Sequence, residues 1–202
     1  MTSQELWRAA LHDFNNLLAG LQGVLDLSDP RMPLDARNRM RLGASIEDGK
    51  TLITMARALA LGRLPDPGMA PWDEWKAGLQ ARLDPMAELF RCPIHLADEG
   101  LDQGPSWPTP LWQDWVATFT RQVLPWSVPG PLRLMAKVEP DAWILIWESD
   151  APMPLALSPE PPADTPKNLS TLWLRAMGER LGISVHEVPG GLMARMKRPD
   201  AS

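Results

Sequence analysis

The sequence predicts an α+β fold, in which an N-terminal helical hairpin is followed by a unit of helices and sheet. Two patterns carry this prediction. Apolar residues recur with the period of an α-helix through the first 61 residues, whereas later segments alternate apolar and polar residues as half-buried strands do. The proline-rich segment 62–71 separates the two patterns, so we expect domains at 1–62 and 70–202.

Composition excludes several classes of protein. The 202 residues are 45% hydrophobic, which is enough for a substantial core. A net charge of -5 without a basic stripe argues against nucleic acid, because phosphate contacts need clustered Lys and Arg. No segment has the ~18 consecutive apolar residues of a membrane span, and the first residues lack a signal-peptide pattern. With the single cysteine, Cys92, these observations predict a cytoplasmic protein that binds no membrane.

The first element is a strongly amphipathic helix over about 3–27. At about 100° per residue its apolar side chains share an arc of roughly 140°, namely Leu6, Trp7, Ala10, Leu11, Phe14, Leu17, Leu18, Leu21, Val24 and Leu25. After two prolines a second helix is predicted over about 34–61. A hairpin cannot cover so wide an arc by itself, so we expect a homodimer in which two hairpins form a four-helix bundle.

The second unit is predicted to contain three helices and two hairpins. A helix in 72–90 should be interrupted at Pro85, and a short strand should follow at 92–97. Helix 110–124 then precedes "LRLMAKV" and "WILIW", which flank the turn "EPDA". The last helix, 170–181, should stop at Gly182 before a closing hairpin.

His12 is the main candidate for chemistry. On the helical wheel it lies opposite the apolar arc, so its imidazole should face solvent. Asn16 lies one turn on and should reach Nδ1, whereas Asp13 is the i+1 neighbour and should not face His12. Close packing of a partner would explain the small residues nearby, and the predicted partner-binding residues are Asn15, Ala19, Gly20 and Gly23. The alternative is an ordinary surface histidine with tolerated glycines.

The stretch "HDFNNLLAGLQGVLDL" resembles the H-box of bacterial two-component histidine kinases, in which a histidine, an acid and, four residues on, Asn or Thr open the phosphoacceptor helix. The resemblance implies that His12 accepts a phosphoryl group and that Asp13 is an acid/base or electrostatic aid. The order of elements after residue 72 is similar to the ATP-binding domain of those kinases, a Bergerat-type α/β sandwich.

The second unit departs from this pattern where a nucleotide would bind. The kinase asparagines that hold magnesium should lie on helix 110–124, yet the chain has no asparagine between Asn38 and Asn168. Asp150 matches the acid of Asp-x-Gly-x-Gly, but Pro152 and Pro154 stand at the glycine positions. Proline has no N–H to offer a phosphate, so we interpret this unit as a degenerate ATP-binding fold without ATP.

A dimeric phosphoacceptor hairpin with such a domain resembles the ChpT-type histidine phosphotransferases of bacterial phosphorelays. The resemblance implies relay through His12 between aspartates of response-regulator receivers and a hybrid histidine kinase receiver. No cofactor or metal of its own is expected, because magnesium would come with the receiver. Two alternatives stay open: a non-catalytic pseudokinase adaptor or inhibitor that binds receivers or kinases, and an active kinase with unusual ATP contacts.

Other candidates have ordinary structural explanations. Cys92 and His95 are too few to fill a tetrahedral zinc site, and His186 occupies a surface position of the closing hairpin. Core packing explains the tryptophans better than a ligand box, and those concerned are Trp72, Trp75, Trp107, Trp112, Trp115 and Trp126.

Overall fold

The computed structural model describes two compact units. The residues described are 2–26, 34–62, 68–98, 101, 106–127, 130–151, 153 and 168–198. The first unit comprises Met1–Leu64 with Pro166–Trp173, and the second comprises Pro65–Thr165 with Leu174–Ser202. None of the helices in these ranges has the length and apolar character needed to cross a bilayer.

The predicted helical hairpin is confirmed. Helix α1 spans Ser3–Asp26 and helix α2 spans Ala36–Leu61. The Thr2 hydroxyl accepts from the N–H of Glu5, whose carboxylate accepts from the N–H of Thr2, so a capping box begins α1. Asp35 caps α2 by accepting from the N–H of Asn38.

The two helices approach closely at Gly49. A Cβ placed there would lie 3.1 Å from Cδ2 of Leu17, so a larger residue at this crossing would press on that leucine. Only part of the apolar arc is covered by this packing. Ala10 and Val24 are buried. Other apolar side chains of the hairpin are 40% to 67% exposed, namely Trp7, Leu11, Leu18, Leu25, Met40, Ile46, Ile53 and Leu61.

The second unit contains a five-stranded mixed sheet with helices. The remaining elements are β1 Gly68–Ala70, α3 Trp72–Phe90, β2 Ile94–Asp98, β3 Trp107–Thr109, α4 Leu111–Ser127, β4 Leu132–Glu139, β5 Ala142–Glu148, α5 Leu169–Leu181, β6 Ile183–Val188 and β7 Gly191–Lys197. The sheet order is β2-β4-β5-β7-β6, in which β2 runs parallel to β4 and the other pairs are antiparallel. Both predicted hairpins, β4–β5 and β6–β7, are therefore confirmed.

Two local predictions were wrong, and two short strands were not predicted. Helix α3 continues through Pro85 to Phe90, because the tertiary packing of the helix outweighs the loss of one backbone hydrogen bond. The strands β1 and β3, which pair with each other, were not predicted because three residues give no readable alternation. Trp126 is 51% exposed and does not belong to the core.

Clustered indoles form much of the core of the second unit. Trp72, Trp75 and Trp107 have ring centroids 4.8 to 5.3 Å apart. Trp115 donates through Nε1 to the carbonyl of Leu174 at 2.9 Å, so its polar atom is satisfied although the ring is fully buried.

Candidate functional site

His12 lies in the second turn of α1 and faces solvent, as the helical wheel predicts. Its side chain is 56% exposed. Ala10, which lies about 160° around the helix from His12, is buried, so helix phase places the ring on the side away from that core contact. An exposed imidazole on a packed helix is accessible to a large reactant.

Asp13 contacts His12 directly, which corrects the expectation that the two side chains do not face each other. Oδ1 of Asp13 lies 2.9 Å from Nδ1 of His12, and the carboxylate side chain is only 12% exposed. Neighbouring helical residues point about 100° apart, but Nδ1 lies near the root of the ring and a side-chain rotation brings it to the carboxylate. The other oxygen, Oδ2, accepts a hydrogen bond of 2.8 Å from the backbone N–H of Leu169.

Asn16 also reaches the imidazole, but at a longer distance. Its Nδ2 lies 3.4 Å from Nδ1 of His12, close to the limit for a hydrogen bond. Nδ1 cannot both donate to a carboxylate and accept from an amide. The contact with the carboxylate is shorter and involves a charged acceptor, so it is the stronger one. The geometry therefore favours a proton on Nδ1 and a free lone pair on Nε2.

The small residues that follow His12 leave open space. A Cβ placed at Gly20 or Gly23 would meet no described atom within 4 Å, and the side chains of Asn15 and Ala19 are exposed. Larger side chains are therefore sterically possible at both glycines. This open face, formed by Asn15, Ala19, Gly20 and Gly23, extends from the histidine along α1.

The other candidate residues have ordinary structural surroundings. Cys92 is buried, with its thiol 3.3 Å from the carbonyl of Gly130, whereas His95 is exposed on β2. His186 is exposed and contacts the hydroxyl of Ser184, as expected for a surface position. Within the described ranges, no three His, Cys, Asp or Glu side chains converge as metal ligands would.

The segments in which a kinase would bind its nucleotide have other residues in this chain. In α4, where the resemblance to kinases predicts the asparagines, Trp112, Trp115 and Phe119 are fully buried and stack in series. Asp150 lies beside a polar cavity of about 180 Å³, which is smaller than the roughly 300–1,000 Å³ typical of ligand sites. Pro152 and Pro154 lie outside the described residues.

Comparisons with known proteins identify the fold. No protein-family model and no curated protein sequence matches the chain. The histidine kinase AdeS of Acinetobacter baumannii is similar with a TM-score of 0.61 and 16% identity over 94% of this chain and 98% of that one. A bacterial phosphotransferase has a TM-score of 0.52 and 14% identity, covering 96% and 97% of the two chains.

The second unit has its own counterpart among solved structures. The catalytic domain of histidine kinase ThkA, in a nucleotide-free form, has a TM-score of 0.51 and 10% identity, and the match covers 67% of this chain and 97% of that one. The chain is therefore an α+β protein with the fold of histidine kinases, a helical hairpin followed by an ATPase-like domain with a mixed sheet.

Proposed function

We propose that the chain is a cytoplasmic histidine phosphotransferase of the ChpT type, which relays a phosphoryl group between receiver-domain aspartates through His12. The observation that carries this proposal is the exposed His12 ring, whose Nδ1 contacts the Asp13 carboxylate at 2.9 Å, while Nε2 has no hydrogen-bond partner among the described residues. The likeness in fold to a histidine kinase and to a bacterial phosphotransferase supports a transferase of two-component signalling.

The transfer is an in-line exchange at phosphorus. The Nε2 lone pair of neutral His12 attacks the phosphorus of a receiver's aspartyl phosphate, the bond from phosphorus to the aspartate oxygen breaks, and the carboxylate leaves. The phosphorylated ring still carries its proton on Nδ1 and is therefore cationic. The Asp13 carboxylate beside Nδ1 offsets this charge or takes the proton. Attack by an aspartate of a second receiver reverses these steps.

The chain orients the imidazole of His12, and the receiver domain supplies the metal ion. Magnesium is held by the receiver, so the chain needs no cofactor of its own. The receiver docks on the open face formed by Asn15, Ala19, Gly20 and Gly23, where no described atom lies within 4 Å of a Cβ placed at either glycine. The ATPase-like domain acts without binding ATP. Two observations support this: the cavity beside Asp150 is small, and Trp112 and Trp115 are buried on α4.

The test is a relay between two purified receivers. One receiver is labelled with radioactive acetyl phosphate and freed of excess reagent, and transfer through the chain to the second is followed over time. We expect His12→Gln to abolish labelling while the fold is kept, because an exposed substitution changes stability by no more than ~0.5 kcal/mol. Asn16→Ala should slow transfer only a few-fold, since its contact with the ring is long. If His12→Gln still relays phosphate, or the unaltered chain binds receivers and is never labelled, the adaptor alternative is correct.

A further inference from the structure

The Asp13 carboxylate is held on both sides within the first unit. Its Oδ1 contacts Nδ1 of His12 at 2.9 Å, and its Oδ2 accepts from the N–H of Leu169 at 2.8 Å. Residues 166–173 belong to the same compact unit as the hairpin. With both oxygens engaged and little exposure to water, the carboxylate has one favoured orientation.

The N–H of Leu169 is a donor that its own helix leaves unused. Asn168 caps α5: its side-chain oxygen accepts from the N–H of Thr171 at 2.7 Å, and its carbonyl accepts from the N–H of Leu172 at 3.1 Å. Leu169 is thus the first helical residue, and its N–H has no acceptor inside the helix. The positive end of the helix dipole also favours a carboxylate there, and the carboxylate present is that of Asp13.

We propose that the backbone amide of Leu169 is a positioning group for the phosphoacceptor, because it orients Asp13, which in turn holds the Nδ1–H tautomer of His12. This inference rests on the proposed phosphotransfer and adds to it a group 156 residues away from Asp13. Without the amide, the carboxylate could turn towards solvent, and the ring could carry its proton on either nitrogen. The ring would then present a protonated Nε2, which cannot attack phosphorus, for part of the time.

Leu169→Pro tests this inference, because proline is well accepted at the first position of a helix and lacks only the N–H in question. Leu169→Ala is the matched control: it loses the same buried side chain but keeps the amide. The His12 tautomer is measured in the full chain, labelled with ¹⁵N-histidine, at a pH where the ring is neutral. The chain has three histidines, so the His12 signals are assigned by comparison with His12→Gln.

Leu169→Ala should keep the Nδ1–H pattern of the unaltered chain, whereas Leu169→Pro should give a mixture of tautomers. Transfer by Leu169→Pro should be about tenfold slower than by Leu169→Ala at saturating receiver. Identical His12 signals in the two variants would overturn the proposal.

A second measurement decides the question even if Leu169→Pro does not fold. Hydrogen exchange of the Leu169 amide should accelerate about tenfold in Asp13→Ala and stay unchanged in Asn16→Ala. Equal exchange in Asp13→Ala and the unaltered chain would refute the contact. Neither the tautomer measurement nor the exchange measurement needs phosphoryl transfer. If no receiver ever labels the chain, the proposed function is wrong, but the result on the orientation of Asp13 and His12 still holds.

Discussion

At the scale of single residues, the two nitrogens of one imidazole have different surroundings. Nδ1 of His12 is turned towards a carboxylate that is mostly buried, while the ring as a whole is more than half exposed. A proton held on the inner nitrogen leaves the lone pair of the outer nitrogen available as a nucleophile. This arrangement suits a reaction in which phosphate must both arrive and leave.

A different ion pair predicts how stability depends on pH. Asp98 accepts from Nζ of Lys76 at 2.8 Å and from Nε1 of Trp72 at 3.3 Å, and the lysine hydrogen bond is the main reason why the pKa of Asp98 is lowered. A lowered carboxyl pKa stabilises the fold above the unfolded pKa of about 4, and this stabilisation is lost as pH falls through the folded pKa. Lys76→Met should therefore reduce the free energy of unfolding by about 0.5–1 kcal/mol at pH 7.

Urea unfolding at several pH values checks this prediction. The difference between Lys76→Met and the unaltered chain should shrink as the pH falls from the unfolded carboxyl pKa of about 4 towards the lowered folded pKa of Asp98. Lys50→Met is the control, because the Lys50–Glu47 pair has side chains 66% and 70% exposed and should contribute little at any pH. A deficit for Lys76→Met that stays the same down to pH 3 would contradict the electrostatic explanation.

Only part of the site could be predicted from the sequence at this scale. Helix phase predicts that His12 is exposed and that Asn16 comes within reach, because both follow from the local geometry of one helix. The contact between Asp13 and Leu169 depends on tertiary structure, and the donor is a backbone amide that every residue type except proline possesses. No sequence pattern could have indicated it.

At the scale of elements, α1 combines an apolar arc with two glycines that no intramolecular contact requires. Glycine within a helix costs up to ~1 kcal/mol relative to alanine. Gly49 on α2 is different, since a Cβ there would meet Leu17. The open space at Gly20 and Gly23 therefore calls for an explanation other than packing within the described part of the chain.

Gly23→Arg tests whether this face of α1 docks the receiver. A Cβ at position 23 meets no described atom within 4 Å and the substitution replaces a poor helix former, so thermal stability should be unchanged or raised by up to ~1 kcal/mol. Transfer from a phosphorylated receiver should fall at least about tenfold at subsaturating concentration, which corresponds to ~1.4 kcal/mol of docking free energy. The label transferred to the chain in samples quenched at successive times measures the transfer rate.

Ala81→Arg controls for the added charge, because it introduces the same side chain at an exposed position of α3. Its transfer rate should match that of the unaltered chain. Equal rates for Gly23→Arg and Ala81→Arg would show that the receiver docks elsewhere.

At the scale of the whole molecule, the α+β architecture and its principal elements could be predicted because their signals are long and periodic. Helices α1 and α2 and the two hairpins follow from apolar spacing over many residues. What escaped prediction depends on tertiary packing: the continuation of α3 through Pro85, and the exposure of Trp126 at the end of α4. Local propensity cannot say which side chains a neighbouring element will cover.

The exposed apolar residues of the hairpin predict a homodimer. Leu11, Leu18 and Leu25 are each seven residues apart and 56% to 60% exposed, which is the spacing of a helical seam. Leu18→Glu should convert the dimer to monomer, because burying an unpaired carboxylate at the seam is costly. Light scattering at micromolar concentration measures the mass. Ala81→Glu adds the same charge at an exposed position of α3, outside the hairpin, and should remain dimeric. An unaltered chain that is monomeric at this concentration would contradict the bundle.

The last prediction is that Mg-ATP neither binds to the chain nor phosphorylates it. Asparagines are absent from 39–167, the cavity beside Asp150 is about 180 Å³, and the buried face of α4 includes the stacked rings of Trp112, Trp115 and Phe119. Filling the helix layer with indoles stabilises the domain through apolar burial, and it takes the positions from which polar side chains would reach a metal.

Titration calorimetry should show no saturable heat at micromolar nucleotide, and radioactive ATP should leave His12 unlabelled under conditions in which a phosphorylated receiver labels it. Asp150→Asn should behave like the unaltered chain in both measurements. Micromolar binding that Asp150→Asn abolishes would instead make the second unit a nucleotide-binding domain and restore the kinase interpretation.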